Sequence, residues 1–131
     1  MRFSCDTNDL NASLSVVSRA LAARSPKPIL EGVLLESCDE GLRLTCTDLA
    51  LGICTVIPAT FEEEGRIVLP GKLLCEVVRK LPGGTVDVSV NDRLQATIRC
   101  AFSGRDSTTI SIATMLPARN ATLAPRKIIQ T

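Results

Sequence analysis

RIVLPGKLLCEVVRKLP, residues 66–82, holds a strand, a helix start and a helix stop in one short stretch. Arg66–Leu69 is a run of strand formers, and Pro70 stands where the fixed φ of proline suits the first turn of a helix. Leu73, Leu74, Val77, Val78 and Leu81 then recur at helical spacing through Lys72–Leu81, until Pro82-Gly83-Gly84 ends the run. Downstream, Val86–Val90 and Leu94–Arg99 pair across the turn residues Asn91-Asp92-Arg93, and Thr108–Ala113 supplies another strand. Upstream, the same order is met a first time. Arg2–Cys5 is strand-like, and Leu10, Leu14, Val17 and Leu21 mark a helix with Asn8 or Asp9 as its N-cap and Ser25-Pro26-Lys27-Pro28 as its stop. Gly32–Ser37, Leu42–Thr47 and Leu49–Ile57 follow as strands, the first two joined at Asp39-Glu40-Gly41, and the acidic loop Glu62-Glu63-Glu64-Gly65 closes this half. The chain is thus βαβββ twice, with half-repeats of about 1–64 and 65–118 and a tail over 119–131. That order predicts a two-layer α+β domain with both helices packed on one side of antiparallel sheet.

Composition narrows the chemistry. The 131 residues are 45% hydrophobic, enough for one core and one domain. There is no His, so His-based general bases, Ser-His-Asp and Cys-His arrangements and His-ligated metals are excluded. With three Phe and neither Tyr nor Trp, an aromatic platform for single-stranded bases is not expected. No secretory signal precedes Leu10, and Leu49–Ala59 is too short to span a bilayer, so no membrane association is expected.

Cys5, Cys38, Cys46, Cys54, Cys75 and Cys100 contain no CxxC pair. Most fall in apolar runs, where cysteine acts as a small hydrophobe, and they read as free thiols in a reducing cytoplasm rather than as a disulfide framework. A catalytic thiolate would need an activator other than His. Residues 65–72 look superficially like a phosphate loop, but the spacing is one residue too long and Leu73 stands where the Ser or Thr should be. Asp48 has no partner acid near it in sequence, and Glu62–Glu64 read as a solvated loop. No catalytic residue, metal site or cofactor is expected.

The net charge is only +1, from 15 basic and 14 acidic residues, so any attraction to nucleic acid has to come from segregation. At about 100° per residue, Asn11, Ser15, Arg19 and Ala22 lie opposite the apolar stripe of the first helix. No carboxylate occurs between Leu10 and Leu30, whereas Arg19, Arg24 and Lys27 do. On the second helix Lys72 and Arg79 project away from the apolar face, Lys80 lies near its edge and Glu76 is the one acid. Late-helix cations also complement the macrodipole, so the pattern alone fits an ordinary solvated face as well as a surface for phosphates.

The ordered blocks VSRALAARSPKPIL (17–30), VLL (33–35), LRLTCTDL (42–49), EEGRIVLP (63–70), KLL (72–74), VRKLP (78–82) and LPA (116–118) decide between these. In that order and spacing the chain resembles the amino-terminal domain of the bacterial sliding clamp, the beta subunit of DNA polymerase III. The resemblance implies a ring of such domains, helices lining a channel around double-stranded DNA, and processivity in replication without catalysis. Arg24 matches a DNA-contacting arginine of the family, and Lys72 and Arg79 match basic channel positions. Arg19 and Lys80 are added from the helical projection. It further implies self-association into a ring, with the late strand pairing edge to edge through Thr109, Ile110 and Ile112, and a cytoplasmic location. Polymerase and clamp loader would bind through domains absent from this chain. The sequence departs from the family at Asp106–Met115, which carries an extra residue, and at Arg119-Asn120-Ala121-Thr122, which replaces an acidic, aromatic-containing stretch. Two other classes are weighed against this reading: a non-catalytic α+β oligomerisation module without DNA binding, and a cysteine enzyme.

Overall fold

The computed structural model describes residues 1–21, 31–47, 51–102, 106–113 and 128–130. Its elements run β1 (Arg2–Asp6), α1 (Thr7–Val17), a 3₁₀ turn (Ser18–Ala20), β2 (Gly32–Cys38), β3 (Gly41–Thr47), β4 (Gly52–Ile57) and β5 (Thr60–Glu63). β6 (Arg66–Pro70), α2 (Gly71–Lys80), β7 (Thr85–Val90), β8 (Gln95–Phe102), β9 (Asp106–Ala113) and β10 (Ile128–Gln130) follow. The doubled βαβββ order is present, with β5 and β10 added to it.

The strands form two five-stranded sheets, ordered β5-β1-β7-β8-β9 and β10-β4-β3-β2-β6. Each half lends its opening strand to the other half's sheet: β1 pairs with β7 and β6 pairs with β2, both antiparallel. Neither half can therefore complete a sheet without the other. The helices pack on one another, α1 against β3 and β4 and α2 against β2 and β6. Phe3, Leu10, Leu14, Val17, Leu35, Leu44, Leu69, Leu74, Val86 and Ile98, drawn from both sheets and both helices, are buried in one continuous core. Burying these side chains contributes about 1.5–3 kcal/mol each before conformational entropy is counted.

Four details differ from the sequence reading. Asp6 caps α1, its carboxylate accepting the Asp9 N–H at 3.3 Å, so Asn8 and Asp9 lie inside the helix. The helix does not run on to Ser25. It tightens into the 3₁₀ turn after Val17, and Leu21 is extended at φ −74°, ψ 128°. The Ser15 and Ser18 hydroxyls donate to the carbonyls of Asn11 and Ser15, at 3.0 and 3.3 Å, a local bonding that bends and weakens a helix ladder. The acidic loop is in part a strand: β5 pairs antiparallel with β1, and the Phe61 ring lies 5.2 Å from that of Phe3. Glu62 and Glu63 are exposed on that edge strand, a charge pattern that discourages further pairing. Finally, Leu73 is 45% exposed rather than part of the buried face of α2, which is formed by Gly71, Leu74 and Val78.

Candidate nucleic-acid interface

The helix layer exposes four cations among the described residues, Arg19, Lys72, Arg79 and Lys80. Pro70, extended at φ −56° and ψ 120°, turns the chain out of β6 and into α2. Lys72 is exposed in the first turn of that helix, and Arg79 and Lys80 are exposed in the last. Lys72 and Arg79 are seven residues apart, so at 3.6 residues per turn they stand on the same face about 10 Å apart along the axis. On the neighbouring helix Asn8, Asp9, Ala12 and Ser15 of α1 are exposed, as is Arg19 of the 3₁₀ turn. Asn11 is half-buried, and Ala22 lies outside the described residues. Leu21 packs directly on Gly71, so Arg19 and Lys72 each lie within two residues of a single contact between the two helical segments. Arg24 and Lys27 also fall outside the described residues.

Ion pairing is segregated by layer among the described residues. The ion pairs of the described residues join the N-terminal amine to Glu63 at 3.2 Å, Arg2 to Glu62 at 3.4 Å and Arg43 to Glu36 at 3.6 Å. All three belong to the sheets. Arg19, Lys72, Arg79 and Lys80 take part in no ion pair among the described residues, and Glu76 is the one acid of α2. A row of unneutralised cations over small and polar side chains can approach a polyanion closely. It contains no group that would read base edges in a fixed register.

A second feature lies at the rim. β9 ends its sheet, and no strand covers its outer edge among the described residues. Beside it a shallow groove of about 210 Å³ is lined by Leu73, Glu76, Val77, Lys80, Leu81 and Ile110. Thr109 is exposed and Ile110 half-buried, but Ile112 is 3% exposed and packs in the chain's own core. The Ile112 side chain therefore faces the core, leaving only its main chain on the open edge. Leu73, assigned to the core by its spacing, is the residue that the sequence reading misses here. Helical periodicity alone cannot tell a core stripe from a stripe continued onto an exposed rim.

The thiols offer no activated nucleophile among those whose titration is shifted. Burial, with Asp6, Asp9 and Asp87 adding to it, pushes the Cys5 thiol up to about 12. Burial next to Cys75 does the same for Cys46. Cys75 is also raised by burial, which outweighs the opposing pull of Arg79. All six cysteines are free, and no cluster of His, Cys, Asp and Glu among the described residues could hold a metal ion. No helix among them is long and apolar enough to cross a membrane.

A family model described as DNA polymerase III beta subunit, N-terminal domain, matches residues 1–118. The chain is 44% identical over 108 residues to the beta sliding clamp of Synechococcus elongatus, covering 80% of this chain and 28% of that protein. It is 43% identical over 93 residues to the beta sliding clamp of Synechocystis sp., covering 70% of this chain and 24% of the relative. Among solved structures, the DNA polymerase sliding clamp of Bacillus subtilis superposes with a TM-score of 0.84 at 29% identity, over 96% of this chain and 34% of that one. The chain thus spans 24–34% of the length of these proteins.

Proposed function

The chain belongs to the DNA polymerase III beta-subunit family, and on that premise we propose that it is a DNA-encircling clamp domain whose helix layer faces duplex DNA. The observation that carries this reading is the partition of ion pairs. Among the described residues the ion pairs lie in the sheets, while Arg19, Lys72, Arg79 and Lys80 enter none on the helices. Arg24, just beyond the 3₁₀ turn in sequence, joins this set. Long cationic side chains that touch phosphates without reading bases hold a duplex and let it slide. No residue of the domain acts as a catalyst in this reading. The domain works in the cytoplasm as part of the replication machinery and occupies residues 1–118, with β10 returning to its second sheet beside β4.

Ring closure is proposed at the β9 edge. Its uncovered N–H and C=O groups are available for strand addition, with Thr109 flanking and Ile110 seated in the groove beside Leu73 and Val77. Ile112, enclosed in the core, supports that strand from behind. Polymerase and clamp-loader contacts are assigned to domains outside this chain. An oligomerisation module indifferent to DNA is less well supported, because exposed Leu73 borders the rim groove while the rest of the exposed face of α2 carries Lys72, Arg79 and Lys80 against the single acid Glu76.

The test replaces Arg24, Lys72 and Arg79 together with Ala in a full-length clamp carrying this domain, and follows retention on nicked circular DNA against salt. Retention should shorten, and the log–log salt slope should flatten by about 0.9 for each phosphate no longer neutralised. Unchanged retention and slope would overturn the DNA-facing assignment.

A further inference from the structure

Phe3, Val86, Val88, Ala96, Ile98 and Ile112 of the first sheet point into the core. The period of two along each strand therefore sends Arg2, Asp87, Ser89, Thr97, Arg99 and Thr109 to the opposite, outer face. Their register forms two rows. Arg2 stands opposite Ser89 and Ser89 opposite Thr97, while Asp87 stands opposite Arg99 and Arg99 opposite Thr109. With Glu62 these side chains line a hollow of about 230 Å³.

The charges in the hollow are not all spent on each other. Arg2 pairs with Glu62 at 3.4 Å, which matches those two. Asp87 and Arg99 are directly opposed, the position in which unlike charges attract across a ladder. Yet neither enters an ion pair among the described residues. The hollow thus presents one open carboxylate and one open guanidinium, ringed by the hydroxyls of Ser89, Thr97 and Thr109. Its one apolar lining residue, Val88, is 3% exposed, so nothing there holds a ring or an acyl chain. The volume is also below the roughly 300–1,000 Å³ of an ordinary organic-ligand site, which restricts the occupant to a few heavy atoms.

We infer that this hollow is a binding site for a small zwitterion, a free α-amino acid, with its carboxylate on Arg99 and its ammonium on Asp87. The planar guanidinium takes a carboxylate through two parallel N–H donors. The ammonium supplies three donors, which the Asp87 carboxylate and the neighbouring hydroxyls accept. Directly opposed residues hold their β-carbons about 4.5–5.5 Å apart, so a ligand whose two charges are one carbon apart reaches both. A lone anion would face Asp87 and a lone cation would face Arg99. Only a ligand carrying both signs leaves no charge unmatched. The site lies on the face turned away from the core and does not depend on the DNA-facing assignment of the helices.

The experiment titrates the 131-residue chain with glycine at constant ionic strength, followed by ¹H–¹⁵N NMR. Acetate and methylammonium serve as the two halves of the ligand. Glycine should give saturable shifts of the Ser89, Arg99 and Thr109 amides, with each half binding at least about tenfold more weakly. Asp87→Asn and Arg99→Gln, both at exposed positions, should each weaken glycine at least about tenfold. Glycine shifts that do not saturate, or acetate that binds as tightly as glycine, would overturn the site. Triglycine holds the two charges apart and should bind more weakly; equal affinity would overturn a free amino acid as the ligand. Urea denaturation of the Asp87→Asn and Arg99→Gln single and double variants is the second measurement. Additive effects are expected, whereas coupling between them would mean that the two side chains pair with one another and close the hollow.

Discussion

Leu21 and Gly71 meet so closely that a β-carbon on Gly71 would lie 2.6 Å from Leu21 Cδ2 and 2.7 Å from Cδ1. The Glu31 carbonyl oxygen closes the same space at 3.1 Å. This contact ties the end of the first helical segment to the start of the second, and so sets Arg19 near Lys72. A side chain there would have to push the Leu21 methyl groups aside and press on the Glu31 carbonyl.

Gly71→Ala is accordingly expected to destabilise the domain. The added methyl overpacks the contact, which costs about 1–3 kcal/mol and exceeds the helix-propensity gain of about 1 kcal/mol. In a Leu21→Ala background the cost should fall by at least about 0.5 kcal/mol, because the clashing atoms are gone. Urea denaturation of the two single variants and the double variant measures this coupling. Additive effects would show that the contact does not govern helix placement.

Gly41 opens β3 at φ +137°, and a β-carbon there would collide with the Ile57 carbonyl oxygen and sit 3.0 Å from the Ala59 nitrogen. Both neighbours are backbone, so no rotamer change relieves the clash. Gly41→Ala should therefore cost more than Gly71→Ala, at least about 2 kcal/mol, through combined strain in φ and displacement of β4. Thermal melts of the two variants side by side decide the order. A Gly41→Ala melting temperature above that of Gly71→Ala would contradict it.

The architecture is legible in the sequence because periodicity switches cleanly between 2 and 3.6 residues along the chain. Val86–Val90, Leu94–Arg99 and Thr108–Ala113 correspond to β7, β8 and β9 with ends shifted by a few residues. What cannot be read is tertiary. Nothing local to Arg2–Cys5 or Arg66–Leu69 announces that each strand crosses into the other half's sheet. Phe61 is a single aromatic among acids, and only the pairing with β1 that sets its ring beside Phe3 reveals β5. The capping role of Asp6 is hidden because the residue also closes β1. Lys72, Arg79, Lys80 and Arg19 emerge as exposed because a helix face follows from sequence alone. The side chain of Ile112 packs in the chain's own core; strand alternation gives its facing but not what covers that face.

Ser13 lies in α1 at 5% exposure, and its hydroxyl oxygen is buried without a hydrogen-bond partner among the described residues. A buried hydroxyl left unpaired costs about 1–3 kcal/mol, and Ser is also a poorer helix former than Ala by about 0.5 kcal/mol. Ser13→Ala should therefore stabilise the domain by about 1 kcal/mol and raise its melting temperature by several degrees. A lower melting temperature would mean that the hydroxyl has a partner in solution.

Cys5 and Cys46 make stability depend on alkali. Both thiols are raised by burial from an ordinary 9.0 to about 12 in the folded chain. Below pH 9 the folded and unfolded chains both keep most of these protons, and the contribution of burial is nearly complete. Above it the unfolded chain releases them while the folded chain does not until about 12. The unfolded state then binds fewer protons, and stability falls as pH rises through that window, by at most about 1.4 kcal/mol per pH unit for each thiol. The chain has no tyrosine, so no phenol titrates over the same range. Urea denaturation at pH 7, 9 and 10.5 should show a nearly flat first interval and a falling second one. Cys5→Ala with Cys46→Ala should start lower at pH 7, because side-chain volume is removed from the core, and should then fall less steeply between pH 9 and 10.5. Parallel losses in parent and variant over that interval would assign the alkaline loss to other groups.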